Sequence, residues 1–204
     1  MTDQQYLERN AKGFEGDSFL KSKIEKICNE YAVEIIVETG TFRGASTLQF
    51  AKMAETVYTV EINRDNLLFS RKLFSDSKVD NVISLEGSSD EVLENVIIPE
   101  LKLLPAQNIF FFLDAHWGDH NPLHRELELL EELEFKPIIA IHDFYNPNYP
   151  HYGYDTYQNG TVIYNWDYIK DHIERLYDGK YTIDYNEESE GAQRGVIFIY
   201  PKTE

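Results

Sequence analysis

The chain has 204 residues, 42% apolar and 14% aromatic, a composition that excludes a disordered chain. A single cysteine, Cys28, excludes a disulfide framework and a cysteine-based zinc cluster. The formal charge of −17, from 36 acidic and 19 basic residues, repels phosphate backbones and argues against nucleic acid as a partner.

Residues 1–16 are polar and weakly patterned, so 1–17 are expected to form an arm or short helix ahead of a single domain over 18–204. From Ser18, with Asp17 or Ser18 as cap, Leu20, Ile24, Ile27, Cys28 and Tyr31 recur at helical spacing. Strands and helices then alternate. Strands are predicted over 33–38, 56–62, 82–86, 108–113 and 138–141, with helices over 45–54, 66–74, 91–98 and 123–133. The run Ile109-Phe110-Phe111-Phe112-Leu113 is apolar on both faces, as a central parallel strand requires. This alternation implies right-handed βαβ units and a parallel sheet. A helix over 167–177 and two strands, 181–185 and 196–200, predict a closing antiparallel hairpin. No apolar run approaches the roughly 18 residues of a membrane span. The first residues lack a signal peptide's apolar core, so a cytoplasmic protein without a membrane partner is expected.

In open α/β sheets ligands bind beyond the carboxyl ends of the strands. The first strand end reads Glu38-Thr39-Gly40-Thr41-Phe42-Arg43-Gly44-Ala45-Ser46. Gly40 permits a sharp turn, and Gly44 lets a helix start close to the strand or to a carboxylate-bearing ligand. The spacing is neither a pyrophosphate fingerprint nor a P-loop; the simpler reading is an ordinary strand–helix turn. Glu61 closes the second strand, where an acid accepts hydrogen bonds from ribose hydroxyls. It also reads as a solvated strand-end carboxylate. Glu86-Gly87-Ser88-Ser89-Asp90 closes the third, as an adenine edge or as a helix N-cap at Ser89.

Together these strand ends resemble the class I S-adenosylmethionine-dependent methyltransferases, and most closely the catechol O-methyltransferase-like, metal-assisted branch acting on small molecules. The resemblance runs from about Glu34 to Phe144. It implies a doubly wound, seven-stranded mixed α/β sheet of Rossmann-like type with a C-terminal antiparallel hairpin. Carried over, Glu38, Gly40 and Ser46 line the methionine part of S-adenosylmethionine, Glu61 holds the ribose, and Ile62, Ser89 and Asp90 border the adenine. A Tyr common in the first loop is Phe42 here, with Thr41 or Arg43 in its stead.

Strand four ends in Asp114-Ala115-His116-Trp117-Gly118-Asp119-His120 and strand five in His142-Asp143-Phe144. If the two strands are neighbours, Asp114, His142 and Asp143 converge and can hold a divalent ion, Mg²⁺ or Mn²⁺ foremost. The resemblance assigns that ion the task of holding the acceptor hydroxyl, with Asp114 at the edge of the cofactor. The basic residue that follows Trp in the family is Gly118, so the general base falls to His116, His120 or His142. The plain reading of Asp114 is a helix cap. His116, His120 and His124 would form a metal face on one helix, but Gly118 and Pro122 interrupt it. His151 and His172 are expected at the surface, and Glu126, Glu128, Glu131, Glu132 and Glu134 on a solvent face. The aromatic stretch from Tyr145 to Trp166 reads as a substrate wall or as a loop packed on the domain or a dimer interface. The expected reaction is methyl transfer to a small-molecule hydroxyl, with a homodimer left open. A metal-dependent hydrolase or hydroxylase using Asp114, His142 and Asp143, or a non-catalytic nucleotide-binding module, are the alternatives.

Overall fold

A computed structural model describes residues 13–105, 107–116 and 119–202. Most of the expected N-terminal arm, 1–12, lies outside the described residues, as do Trp117 and Gly118. Seven strands form one sheet in the order β3 (Val82–Glu86), β2 (Thr56–Glu61), β1 (Ile35–Thr39), β4 (Ile109–Leu113), β5 (Ile138–Ile141), β9 (Ile197–Pro201) and β8 (Tyr181–Tyr185). The first five are parallel, and β9 runs antiparallel to both β5 and β8. The sequence-based layout of five parallel strands closed by a hairpin is the observed one, with β9 inserted next to β5.

Strand alternation sorts the core into two layers. Ile109, Phe111 and Leu113 of β4 point into one, and Phe110 and Phe112 into the other. The first layer is closed by α4 (Ser89–Val92), a π-helical turn at Leu93–Ile97, α5 (Ile98–Leu103), α6 (Leu123–Leu130) and α7 (Trp166–Tyr177). The second is closed by α1 (Ser18–Glu30), by Phe50 of α2 (Ala45–Phe50), and by Phe14, whose ring meets Phe50 at 5.1 Å and Phe112 at 6.0 Å. Helix α3 (Arg64–Asp76) flanks β2 and β3. Asp17 caps α1 by accepting from the Phe19 and Leu20 N–H groups. The aromatic stretch contains a small hairpin, β6 (Thr156–Tyr157) with β7 (Val162–Ile163), and Tyr152, Tyr157 and Tyr164 are buried.

Two expectations are corrected. Glu126 is buried, because it shares the inward face of α6 with Leu123, Leu127 and Leu130 at positions i+3, i, i+4 and i+7. His172 is buried as well, with Nδ1 2.8 Å from Glu131 on α6's C-terminal side. Among the described residues no helix is long and apolar enough to cross a membrane.

Candidate active site

Strand register sets the site. Thr39 pairs with Val60 and with Leu113, and Leu113 pairs with Ile141. The residues that follow, Gly40, Glu61, Asp114 and His142, therefore stand side by side along the carboxyl edge. Backbone bonds hold the line: Gly40 N donates to Val60 O, Asp114 N to Thr39 O and His142 N to Leu113 O, at 3.0–3.2 Å.

In the first half, Gly40 has φ +85°, and a Cβ there would lie 2.3 Å from the Asp114 carbonyl oxygen. Glu38 is wholly buried and accepts from the Thr47 and Thr59 hydroxyls at 2.5 and 2.6 Å. Thr59 has one proton to give, so Thr41, 2.5 Å away, donates to it. Burial pushes the Glu38 carboxyl up to about 8 against these two bonds. Ser46 Oγ accepts from Phe14 N at 2.9 Å, tying the N-terminal turn to this loop.

Glu61 is buried yet flanked by Phe42 and Ile62, 54% and 60% exposed. Its carboxylate accepts from Phe42 N at 2.6 Å and Asn63 N at 2.7 Å. Burial raises its pKa and these backbone donors oppose the rise. Beyond β3, Ser88 rather than Ser89 is the N-cap of α4, and no side chain caps it. Ser89 is buried, with Asp90 beside it at the start of the helix. Burial pushes Glu126 up to about 7, opposed by the nearby Ser89 and Thr39 hydroxyls and by the charge of His116.

The second half is a cage of ions. His142 Nδ1 lies 3.3 Å from Asp114 Oδ1 and 3.2 Å from Asp143 Oδ1. His116 Nε2 lies 3.3 Å from Asp143 Oδ2, 3.7 Å from Asp114 Oδ1 and 3.9 Å from Asp155 Oδ2. Both rings are buried, and neither nitrogen makes a hydrogen bond of good geometry. Burial alone would lower both imidazole pKa values. The carboxylates outweigh it, raising His116 and holding His142 well above the ordinary value. Arg194 donates through Nε to Asp143 and through Nη2 to Asp155. Asp143 adopts φ +56°, in the left-handed region that Asp tolerates better than most residues. Glu15, in the N-terminal turn, also feels this cage: burial raises its pKa, the charge of His142 lowers it, and Asp114 and Asp143 raise it.

The structure thus brings Asp114, His116, His142 and Asp143 together, next to Gly40. His120 stands apart, its Nε2 3.3 Å from Ser88 Oγ. His124 stacks on Tyr168 at 3.9 Å between ring centres. Sequence reading missed Asp155, Arg194 and Glu126. The signals were slight: Arg194 is the lone basic residue in the 186–195 turn, and Asp155 a lone acid in an aromatic stretch.

No protein-family model matches the chain, and no curated protein matches it. Solved structures do. The O-methyltransferase of Bacillus cereus, in complex with S-adenosylhomocysteine, is 16% identical with a TM-score of 0.67, covering 98% of this chain and 88% of that one. The fold is that of the class I S-adenosylmethionine-dependent methyltransferases. The O-methyltransferase TomG of Streptomyces achromogenes, in complex with S-adenosylmethionine, is 13% identical with a TM-score of 0.63, covering 90% and 80%. An rRNA methylase of Streptococcus thermophilus is 16% identical with a TM-score of 0.53, covering 89% and 95%. At these identities the likeness is one of fold. It spans several methyltransferase groups and does not single out the catechol O-methyltransferase-like branch.

Proposed function

We propose that the chain is an S-adenosylmethionine-dependent O-methyltransferase that acts on a small-molecule hydroxyl, assisted by a divalent ion held by Asp114, His142 and Asp143. The observation that carries this reading is the shared register line, which sets Gly40 and Glu61 beside Asp114 and His142. The residues fit both groups. A buried carboxylate between two exposed apolar side chains, Phe42 and Ile62, suits a ribose with an adenine next to it. A buried imidazole nitrogen without a hydrogen bond, between two carboxylates, suits a cation.

Bound S-adenosylmethionine supplies a methyl group on a positively charged sulfur, and a bound divalent ion supplies the charge that acidifies an acceptor hydroxyl. The chain's own part is positioning. Glu61 would accept hydrogen bonds from the ribose hydroxyls, Ile62, Ser89 and Asp90 would border the adenine, and the 38–46 loop would carry the methionine end with Glu38, Gly40, Thr41 and Ser46. Asp114, on the line between the two halves, would face both cofactor and ion. The methyl would pass to the acceptor oxygen with the carbon–sulfur electron pair left on sulfur, and the hydroxyl proton would go to His116 or His142 or to solvent. The net charge of −17 favours a small acceptor over RNA.

The test is transfer of labelled methyl from S-adenosylmethionine to a pool of small hydroxyl compounds, with Mg²⁺ or Mn²⁺ and with chelator. We expect metal-dependent transfer, abolished by Asp143→Asn while S-adenosylhomocysteine affinity survives. Full activity in excess chelator would replace the ion by an imidazole base, His116 or His142.

A further inference from the structure

We propose that the same cage contains a second divalent-cation site, formed by His116, Asp143 and Asp155 and organised by Arg194. It goes beyond the methyl-transfer reading and stands independently of it. Four observations support the site.

First, ligand atoms of His116, Asp143 and Asp155 lie within 4.8 Å of one another, in a group distinct from that of Asp114, His142 and Asp143. Second, the His116 ring is 6% exposed, and its Nε2 is buried and without a hydrogen-bond partner, although Asp143 Oδ2 is 3.3 Å away and Asp155 Oδ2 3.9 Å. A buried donor or acceptor left unpaired is costly, and a metal ion that displaces the ring proton is what an imidazole nitrogen facing two carboxylate oxygens would bind. Third, Arg194 takes the Oδ1 atom of both Asp143 and Asp155. Their Oδ2 atoms are thereby left to face His116, so the arginine presents the two carboxylates to the imidazole.

Fourth, the backbone builds this arrangement from distant segments. Asp155 N donates to Asp143 O at 2.8 Å, Gly153 N to Gln193 O at 2.9 Å and Gly195 N to Gly153 O at 2.9 Å. A Cβ on Gly153 would come within 2.7 Å of Arg194 Nη1, so the backbone at Gly153 passes close to the guanidinium. Three carboxylates, Asp114, Asp143 and Asp155, stand in this cage against one guanidinium, that of Arg194, which pairs with Asp143 and Asp155. Two negative charges remain to be met, and cations meet them without requiring both imidazoles to carry protons.

One imidazole nitrogen with two carboxylate oxygens suits Mn²⁺, Fe²⁺ or Zn²⁺ better than Ca²⁺. Asp143 would serve both sites, Oδ1 toward His142 and Oδ2 toward His116, as a carboxylate shared between paired metals does.

The test is titration of the full chain with Mn²⁺, followed by the electron paramagnetic resonance signal of the free ion. It uses no cofactor and no acceptor, so it reads this site whether or not the protein transfers methyl groups. The variants are His116→Gln, Asp155→Asn and Asp114→Asn, the last reporting on the neighbouring site. We expect His116→Gln and Asp155→Asn each to weaken one Mn²⁺ at least tenfold, while Asp114→Asn keeps that ion. Asp155→Asn preserves side-chain shape, and the rise in melting temperature on adding Mn²⁺, smaller in both variants than in the parent, supplies a second reading. Titrations of His116→Gln and Asp155→Asn that overlay the parent's, or a parent that takes up no Mn²⁺, would overturn the proposal.

Discussion

Gly40 touches the backbone of Asp114: a Cβ built on Gly40 would sit 2.3 Å from the Asp114 carbonyl oxygen. The loop that would carry the cofactor's methionine and the strand end that would carry the ion are therefore in direct contact. Position 40 also has φ +85°, which disfavours any side chain. We expect Gly40→Ala to lose about 3 kcal/mol of stability by overpacking and backbone strain together. It should also weaken S-adenosylhomocysteine binding. Urea denaturation and calorimetry check both, and an unchanged midpoint would refute the close approach.

Glu38 makes the fold sensitive to pH. Its carboxyl is pushed up to about 8 by burial, so the folded chain keeps a proton that the unfolded chain has lost. The stability it contributes is full below the unfolded pKa near 4.5 and is lost as pH rises through about 8. Glu38→Gln keeps an oxygen for the Thr47 and Thr59 hydroxyls and removes the ionisation. Urea midpoints should then vary less with pH in Glu38→Gln than in the parent between these two values. Equal slopes would show that Glu38 does not take up a proton on folding.

Glu131 works in the opposite sense. It accepts both nitrogens of the Arg175 fork, at 2.9 and 3.0 Å, and faces His172. Burial raises its pKa, but Arg175 and His172 together leave it lowered. Its stabilisation is present above the unfolded pKa and is lost as pH falls through the lower folded value. Glu131→Gln should cost roughly 1 kcal/mol at neutral pH, since the partner arginine is largely exposed. The difference from the parent should shrink in acid and in high salt. A salt-independent difference would point to packing instead.

Residues 145–160 lead from Asp143 to the far side of Asp155 and bring Tyr145 and Tyr154 ring to ring at 5.1 Å. We expect them to be the segment most protected from hydrogen exchange on adding S-adenosylhomocysteine and metal, as a site-closing loop would be. Unchanged exchange despite proven binding would make the segment a packed scaffold.

Much of this architecture was legible because parallel strands buried on both faces write continuous apolar runs. Ile109–Leu113 declared itself, and the residue after such a strand must fall at the carboxyl edge, which located Asp114 and His142. Arg194 and Asp155 were not legible: 51 residues separate Arg194 from Asp143, and no local period marks a long-range ion pair. Glu126 is different. Its spacing of three from Leu123 and four from Leu130 put it on the inward face, but the acidic run around it suggested solvent. His172 was hidden for a related reason, since its partner Glu131 lies 41 positions away.

The central claim is a cofactor site built around Glu61. Calorimetric titration of the parent and of Glu61→Ala with S-adenosylhomocysteine tests it most directly. The account expects binding in the micromolar range for the parent. For Glu61→Ala it expects a loss of roughly 1.5–3 kcal/mol, the usual size for hydrogen bonds to a charged group. NAD should not bind, because the pyrophosphate fingerprint is missing. No heat with S-adenosylhomocysteine, equal affinity in Glu61→Ala, or tight binding of NAD would contradict the account.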